Sequence, residues 1–86
     1  MIKKYLPAEK PVLYYRYMDN PQTRQEVGRK LKEARLKKKL SQGDVAKILG
    51  VHRTYISGLE RGVRNPSLLT IQKVAKALGV DAKKLI

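Results

Sequence analysis

The sequence contains no cysteine, which excludes disulfide bonds and metal sites built on thiolates. Its single histidine, His52, cannot form a metal cluster alone, so we expect neither a metal nor a cofactor. No apolar run approaches the ~18 residues that a membrane-spanning helix needs. Near the start, Pro7 interrupts the chain before the apolar region of a signal peptide could form. We therefore expect a soluble, cytoplasmic protein with no membrane partner.

Acidic residues are also scarce. The chain has 7 Asp and Glu against 20 Lys and Arg, which gives a formal net charge of +13. Such an excess predicts attraction to polyanions such as nucleic acid, acidic lipid or an acidic protein. The sequence shows no carboxylate pair and no phosphate-binding glycine loop. Five of its acids fall at helix caps or in positions for salt bridges: Glu26, Glu33, Asp44, Glu60 and Asp81. We therefore expect no catalytic residues and no enzymatic activity.

The length of 86 residues suffices for one domain with a modest core, so a second subunit would add stability. Residues 1–21 differ from the rest, because they hold three of the four prolines and four of the five tyrosines. Residues 12–18 are rich in strand formers, yet no second strand is evident to pair with them. We predict an extended, Tyr-rich arm or strand over residues 1–21. Its tyrosines either stack on bases or, as we prefer, pack against the core or a second subunit.

Residues 22–86 read as a series of helices. The first helix has two possible starts, one with Asn20 as cap before Pro21 and one with the capping box of Thr23 and Glu26. Polar caps and stop glycines mark the other helices. The predicted later helices begin at Ser41, about Arg53, Ser67 and Asp81, and three of them end at Gly50, Gly62 and Gly79.

The most informative segment is residues 40–62, two short helices joined by the three residues 50–52. A turn this tight, with the small Ala46 at the helix contact, holds the helices at a steep angle. The second helix then exposes a polar face: Arg53, Thr54, Ser57 and Arg61, with Tyr55 at its edge. The DNA major groove admits one helix, and the two acceptors of guanine fit the guanidinium fork of Arg53.

This segment and its flanks resemble the lambda-repressor-like, Cro-type (XRE) helix-turn-helix family. The resemblance covers nearly 60 residues and implies a compact all-α fold of five helices. The matching residues include Leu40-Ser41-Gln42, Val45-Ala46, Leu49-Gly50-Val51, Tyr55-Ile56-Ser57, Leu59-Glu60-Arg61-Gly62, Arg64-Asn65-Pro66-Ser67 and residues 75–80. More narrowly, residues 53–61 with Arg64-Asn65 resemble controller proteins of restriction-modification systems, which are dimers that time endonuclease expression.

The resemblance implies roles for the second of the two short helices and the loop behind it. Arg53 and Thr54 match positions that read bases, and Tyr55 and Ser57 match positions near base edges or the DNA backbone. The loop residues that match phosphate contacts are Arg61, Arg64 and Asn65.

Other matching residues support that helix. Gln42 resembles the family glutamine that contacts a phosphate and braces the recognition helix, and Arg35 with Glu60 resembles the family's ion pair. Two positions depart from the family. His52 replaces the usual Ser, Thr or Asp cap, and because histidine caps poorly we expect it to point at a phosphate instead. Lys39 stands where glycine is common.

We predict a sequence-specific regulator that binds double-stranded DNA as a homodimer, on a near-palindromic site with half-sites about 34 Å apart. The alternative is an antitoxin-type module whose N-terminal arm binds a protein partner. For the dimer we prefer contacts through the C-terminal helix, because a lone monomer would leave Leu85 and Ile86 at its edge. The rival contact is a two-stranded ribbon of residues 12–18.

Overall fold

The helices follow one another closely along the chain. The computed structural model describes residues 16–86, in which the helical residues 16–18 precede four α-helices and one short 3₁₀ helix. The α-helices are α1 (Pro21–Lys37), α2 (Gln42–Leu49), α3 (Arg53–Arg61) and α4 (Leu68–Leu78), and the 3₁₀ helix is Ala82–Lys84. No strand occurs in this part of the chain. The predicted all-α fold with five helices is confirmed.

Helix starts and stops agree with the predicted caps. α1 uses the first of the two predicted starts, since the Asn20 side chain accepts from the Gln22 N–H at 2.8 Å. α2 begins with a capping box in which Ser41 and Asp44 exchange hydrogen bonds of 2.9 and 2.8 Å. Accepting the Ser41 N–H lowers the pKa of Asp44 below its usual value. The three stop glycines have φ between 68° and 76°, the left-handed region: Gly50, Gly62 and Gly79.

The prediction of a strand over residues 12–18 is wrong at its end, because residues 16–18 are helical. Met18 is fully buried in the core, and Arg24 donates to its carbonyl oxygen at 2.7 Å. Tertiary packing thus outweighs the strand propensity of these residues. Tyr17 packs partly buried against the same core, and burial raises its pKa. The remainder of the predicted arm lies outside the described residues.

The core lies where α3 packs against α1 and α2 while α4 packs against α2. Its buried apolar side chains include Val27, Leu31, Val45, Ala46, Ile56, Leu59, Ile71, Val74, Ala75 and Leu78. Leu85 and Ile86 belong to this core too, at 1% and 8% exposure. Our expectation that a monomer leaves these two residues at its edge is therefore wrong. They fill space beside α4 rather than offering a contact to another subunit.

Lys39, in the loop between α1 and α2, has a φ of +58°. Side chains larger than hydrogen are disfavoured in this left-handed region. The backbone therefore explains why the resembling family favours glycine here, a departure whose reason the sequence alone did not show.

α1 and α3 approach each other closely at Gly28. This glycine is buried, and a Cβ atom placed on it would lie 2.5 Å from the carbonyl oxygen of Leu59 and equally close to that of Glu60. Both neighbours are backbone atoms, which cannot rotate away. The absence of a side chain at position 28 therefore sets the distance between α1 and the C-terminal half of α3.

We expect Gly28→Ala to destabilise the fold by about 3 kcal/mol or more, the upper end for overpacking, because α1 must move away from α3. Gly43→Ala is the matched control, since a Cβ there meets its nearest atoms at ordinary contact distances of 3.6 and 3.8 Å. Within a helix that substitution is expected to be neutral or to stabilise by up to about 1 kcal/mol. Urea unfolding of both variants measures the difference. Equal free energies of unfolding would contradict the close approach.

Candidate nucleic-acid interface

α2 and α3 form a unit joined by the short turn of residues 50–52. Ala46 is buried at the contact, and the Val51 N–H donates to its carbonyl oxygen at 2.9 Å. α3 packs its buried side on α1 and α2 and leaves the opposite side open. On the open side Arg53, Thr54 and Arg61 are exposed and Ser57 is half-buried. The fold thus presents the predicted polar face of α3 to solvent.

His52 caps α3, contrary to our expectation that a histidine would not. Its Nδ1 accepts from the Thr54 N–H at 3.3 Å and lies 2.9 Å from the Thr54 hydroxyl. The extended backbone of His52, with φ −75° and ψ 145°, directs the ring over the first turn of the helix. The same contact orients the Thr54 side chain. His52 remains exposed at the start of α3.

Gln42 joins the two ends of α3. Its side-chain nitrogen donates to Glu60 Oε1 at 3.0 Å, and its side-chain oxygen accepts from Arg53 at 3.3 Å. These bonds link the first residue of α2 to the first and eighth residues of α3. The structure therefore gives Gln42 the geometry of a brace for α3.

The predicted ion pair of Arg35 and Glu60 is present and buried. The guanidinium donates to both carboxylate oxygens, at 2.6 and 3.0 Å, and the two side chains are 8% and 3% exposed. A third bond runs from Arg35 to the Leu40 carbonyl oxygen at 2.8 Å. Hydrogen bonding to Glu60 raises the pKa of Arg35 above its usual value. The pair ties α1 to α3 and fixes the loop that precedes α2.

The last residue of α3 and the loop behind the helix carry three exposed residues of the predicted interface: Arg61 at the end of α3, and Arg64 and Asn65 in the loop. The Arg64 guanidinium carbon lies 5.5 Å from the centre of the Tyr55 ring, within the range of a cation–π contact. Tyr55 itself is half-buried against the core. Our sequence analysis missed Gly58, which lies between these two side chains. The available signal was a glycine inside a helix, where it lowers stability.

The charge of this surface is positive and largely uncompensated. Between residues 42 and 65 the acids are Asp44, which caps α2, and Glu60, which pairs with Arg35. None of the ion pairs formed by residues 16–86 involves Arg53, Arg61 or Arg64. Within the described part of the chain, three guanidinium groups around α3 thus have no carboxylate partner.

None of the helices formed by residues 16–86 combines the length and the apolar composition that spanning a bilayer requires. No cluster of His, Cys, Asp or Glu side chains within residues 16–86 has a composition that could hold a metal ion.

The chain is similar to known regulators over most of its length. The profile of the helix-turn-helix family matches residues 31–85. Control protein C.BamHI of Bacillus amyloliquefaciens is 50% identical over 60 residues, which are 69% of this chain and 74% of the relative.

Two solved structures are similar as well. The restriction-modification controller protein C.AhdI from Aeromonas hydrophila has a TM-score of 0.69 and 42% identity, over 72% of this chain and 94% of that one. The hypothetical transcription factor NHTF from Neisseria has the same TM-score and 37% identity, over 77% of both chains. These findings confirm the predicted family, and this chain belongs to the helix-turn-helix family.

Proposed function

We propose that this chain is a transcription regulator that binds double-stranded DNA as a homodimer, with α3 of each subunit in a major groove. The single observation that carries the proposal is the exposed face of α3, which presents Thr54 together with Arg53 and Arg61, two arginines that form no ion pair with any of residues 16–86. A helix fits the major groove, and an arginine can donate two hydrogen bonds to one guanine. This function involves no catalysed reaction.

The roles within the interface follow from where the side chains lie. Arg53 and Thr54, at the N-terminal end of α3, are proposed to read base edges, with Tyr55 and Ser57 beside them. Around them lie the residues proposed to contact phosphates: Gln42, His52, Arg61, Arg64 and Asn65. Gln42 combines its contact with support of Arg53, since its side-chain oxygen already accepts from that guanidinium.

Relatives favour a controller protein of a restriction-modification system over the antitoxin alternative. C.BamHI and C.AhdI are a control protein and a restriction-modification controller protein by name, at 50% and 42% identity. We propose the same role here. The homodimer is part of this proposal.

Selection of duplexes from a random pool by the full chain tests the proposal. We expect a near-palindromic site with half-sites about 34 Å apart, one turn of DNA. Sedimentation of the bound complex should show two chains per duplex. Recovery of no preferred sequence would refute sequence-specific binding, and a single half-site bound by one chain would refute the dimer.

Arg53→Ala is expected to cost about 1–3 kcal/mol at one base pair in each half-site and to relax the preference there. Arg53→Lys keeps the charge but loses the two-pronged donor, so it should relax the same preference while retaining more affinity. Arg61→Ala is the control, because loss of a phosphate contact weakens all sequences nearly equally. The affinity of each variant is measured for the matched duplex and for duplexes with one mismatched base pair, which shows whether the base preference has changed. An unchanged ranking of sites in Arg53→Ala would show that Arg53 does not read a base.

A further inference from the structure

The Arg64 side chain is exposed, yet it lies along α3 and contacts the Tyr55 ring. The backbone N–H groups of Val63 and Arg64 both donate to the Gly58 carbonyl oxygen, at 3.0 and 3.3 Å. These bonds fold the loop back onto the helix. From there the side chain passes Gly58 and reaches the Tyr55 ring, with 5.5 Å between guanidinium carbon and ring centre. Tyr55 and Gly58 are three residues apart and so share a face of α3.

Space for this path exists because residue 58 has no side chain. A Cβ atom on Gly58 would lie 2.6 Å from Cγ and 3.4 Å from Nε of Arg64. Contacts of 2.6 Å are not tolerated, so any other residue at position 58 would displace the arginine near its base. A glycine inside a helix is less stable than alanine. Helix propensity therefore disfavours glycine at position 58. The space that the missing side chain leaves is occupied by the Arg64 side chain.

We infer that Gly58 and Tyr55 are positioning residues for DNA recognition, which hold the Arg64 guanidinium beside α3 before DNA binds. The inference rests on the proposed function, in which Arg64 contacts a phosphate of the duplex. A long, flexible side chain that is already ordered loses less conformational freedom on binding. Gly58 and Tyr55 thus raise affinity for DNA, Gly58 without touching it.

A double-mutant cycle on the full chain tests the inference, with the duplex that the wild-type chain selects from a random pool as probe. Gly58→Ala should weaken binding by about twofold to tenfold per subunit, the range expected for losing the preorganisation of one side chain. In an Arg64→Ala background the same substitution should leave affinity unchanged. It should also raise the melting temperature there, because alanine stabilises the helix once the arginine no longer needs the space.

Tyr55 supplies a second cycle that does not depend on how Gly58→Ala folds. Tyr55→Phe keeps the aromatic ring and should keep the coupling to Arg64, whereas Tyr55→Leu should abolish it. NMR of the free chain adds a direct readout. The Arg64 side-chain protons should be shifted upfield by the Tyr55 ring in the wild type, and the shift should vanish in Gly58→Ala and Tyr55→Leu.

Two results would overturn the inference: wild-type affinity in Gly58→Ala, or an equal loss with and without Arg64. Absence of the ring shift in the free wild-type chain would do the same. Failure of the wild-type chain to bind any duplex is a different outcome. It would refute the proposed function, while the NMR comparison would still decide whether Gly58 and Tyr55 hold Arg64 in place.

Discussion

Raising the salt concentration from 50 to 200 mM is expected to weaken binding of duplex DNA by about a thousandfold or more. The net charge is +13, and Arg53, Arg61 and Arg64 lie around α3 without ion-pair partners among residues 16–86. Each phosphate contact releases a counterion from the DNA, so a dimer with about 6–10 contacts has a steep dependence of affinity on salt. Binding titrations at four or more salt concentrations measure the slope.

Single variants assign part of that slope to individual side chains. Arg61→Ala should lower it by about 1 for each subunit, because one phosphate contact is lost. Lys83→Ala removes the same charge from the 3₁₀ helix, where the lysine lies 3.7 Å from Asp81. Its slope should stay close to that of the wild type. A flat salt response of the wild type, or equal slopes for both variants, would contradict the proposed phosphate contacts.

Local signals in the sequence predicted the helices well. The caps Ser41 and Ser67 and the stop glycines act through hydrogen bonds within a few residues, so their spacing alone identifies them. For α1 the sequence left two starts open, and the structure selects the one capped by Asn20. His52 was misjudged because caps are ranked by average preference. In this turn its Nδ1 reaches the Thr54 N–H, which the average does not describe.

Contacts between distant residues could not be predicted in the same way. Burial of Leu85 and Ile86 depends on how the chain after α4 returns to the core, which no local pattern encodes. The approach of Gly28 to α3 and the path of Arg64 past Gly58 likewise require the packed helices. Residues 16–18 form a helix although their composition favours a strand, because Met18 is drawn into the core. The Arg35–Glu60 pair and the support of α3 by Gln42 were anticipated across such a distance, because the family resemblance implied both.

That pair leads to the largest stability effect we expect. Glu60→Ala should destabilise the fold by about 3–5 kcal/mol, because it leaves the Arg35 charge buried without its partner. Arg35 is held at 8% exposure by its bond to the Leu40 carbonyl oxygen and has little freedom to reach water. Gln42 would also lose its acceptor on Glu60. Such a loss corresponds to a drop in melting temperature of about 12 °C or more in a domain of this size.

Glu33→Ala is the matched control for the same substitution at an exposed pair. Glu33 lies 2.6 Å from Arg29 on α1, where both side chains are more than half exposed. Exposed pairs of this spacing are screened by solvent and contribute little to stability, so the melting temperature should change by only a few degrees. Similar melting curves for Glu33→Ala and Glu60→Ala would show that the buried pair is solvated in solution.

Replacing both Arg35 and Glu60 separates two contributions to the loss of stability. One is the cost of burying a charge without its partner, and the other is the loss of attraction between the two charges. The double variant Arg35→Met with Glu60→Leu leaves no buried charge, and apolar pairs of similar volume often match a buried ion pair in stability. We expect it to melt above Glu60→Ala, yet below the wild type, since the Leu40 carbonyl oxygen and Gln42 lose charged partners. If the double variant melts no higher than Glu60→Ala, the ion pair itself contributes to the stability of the fold. The wild-type pair would then stabilise the contact between α1 and α3 by attraction rather than merely avoid a penalty.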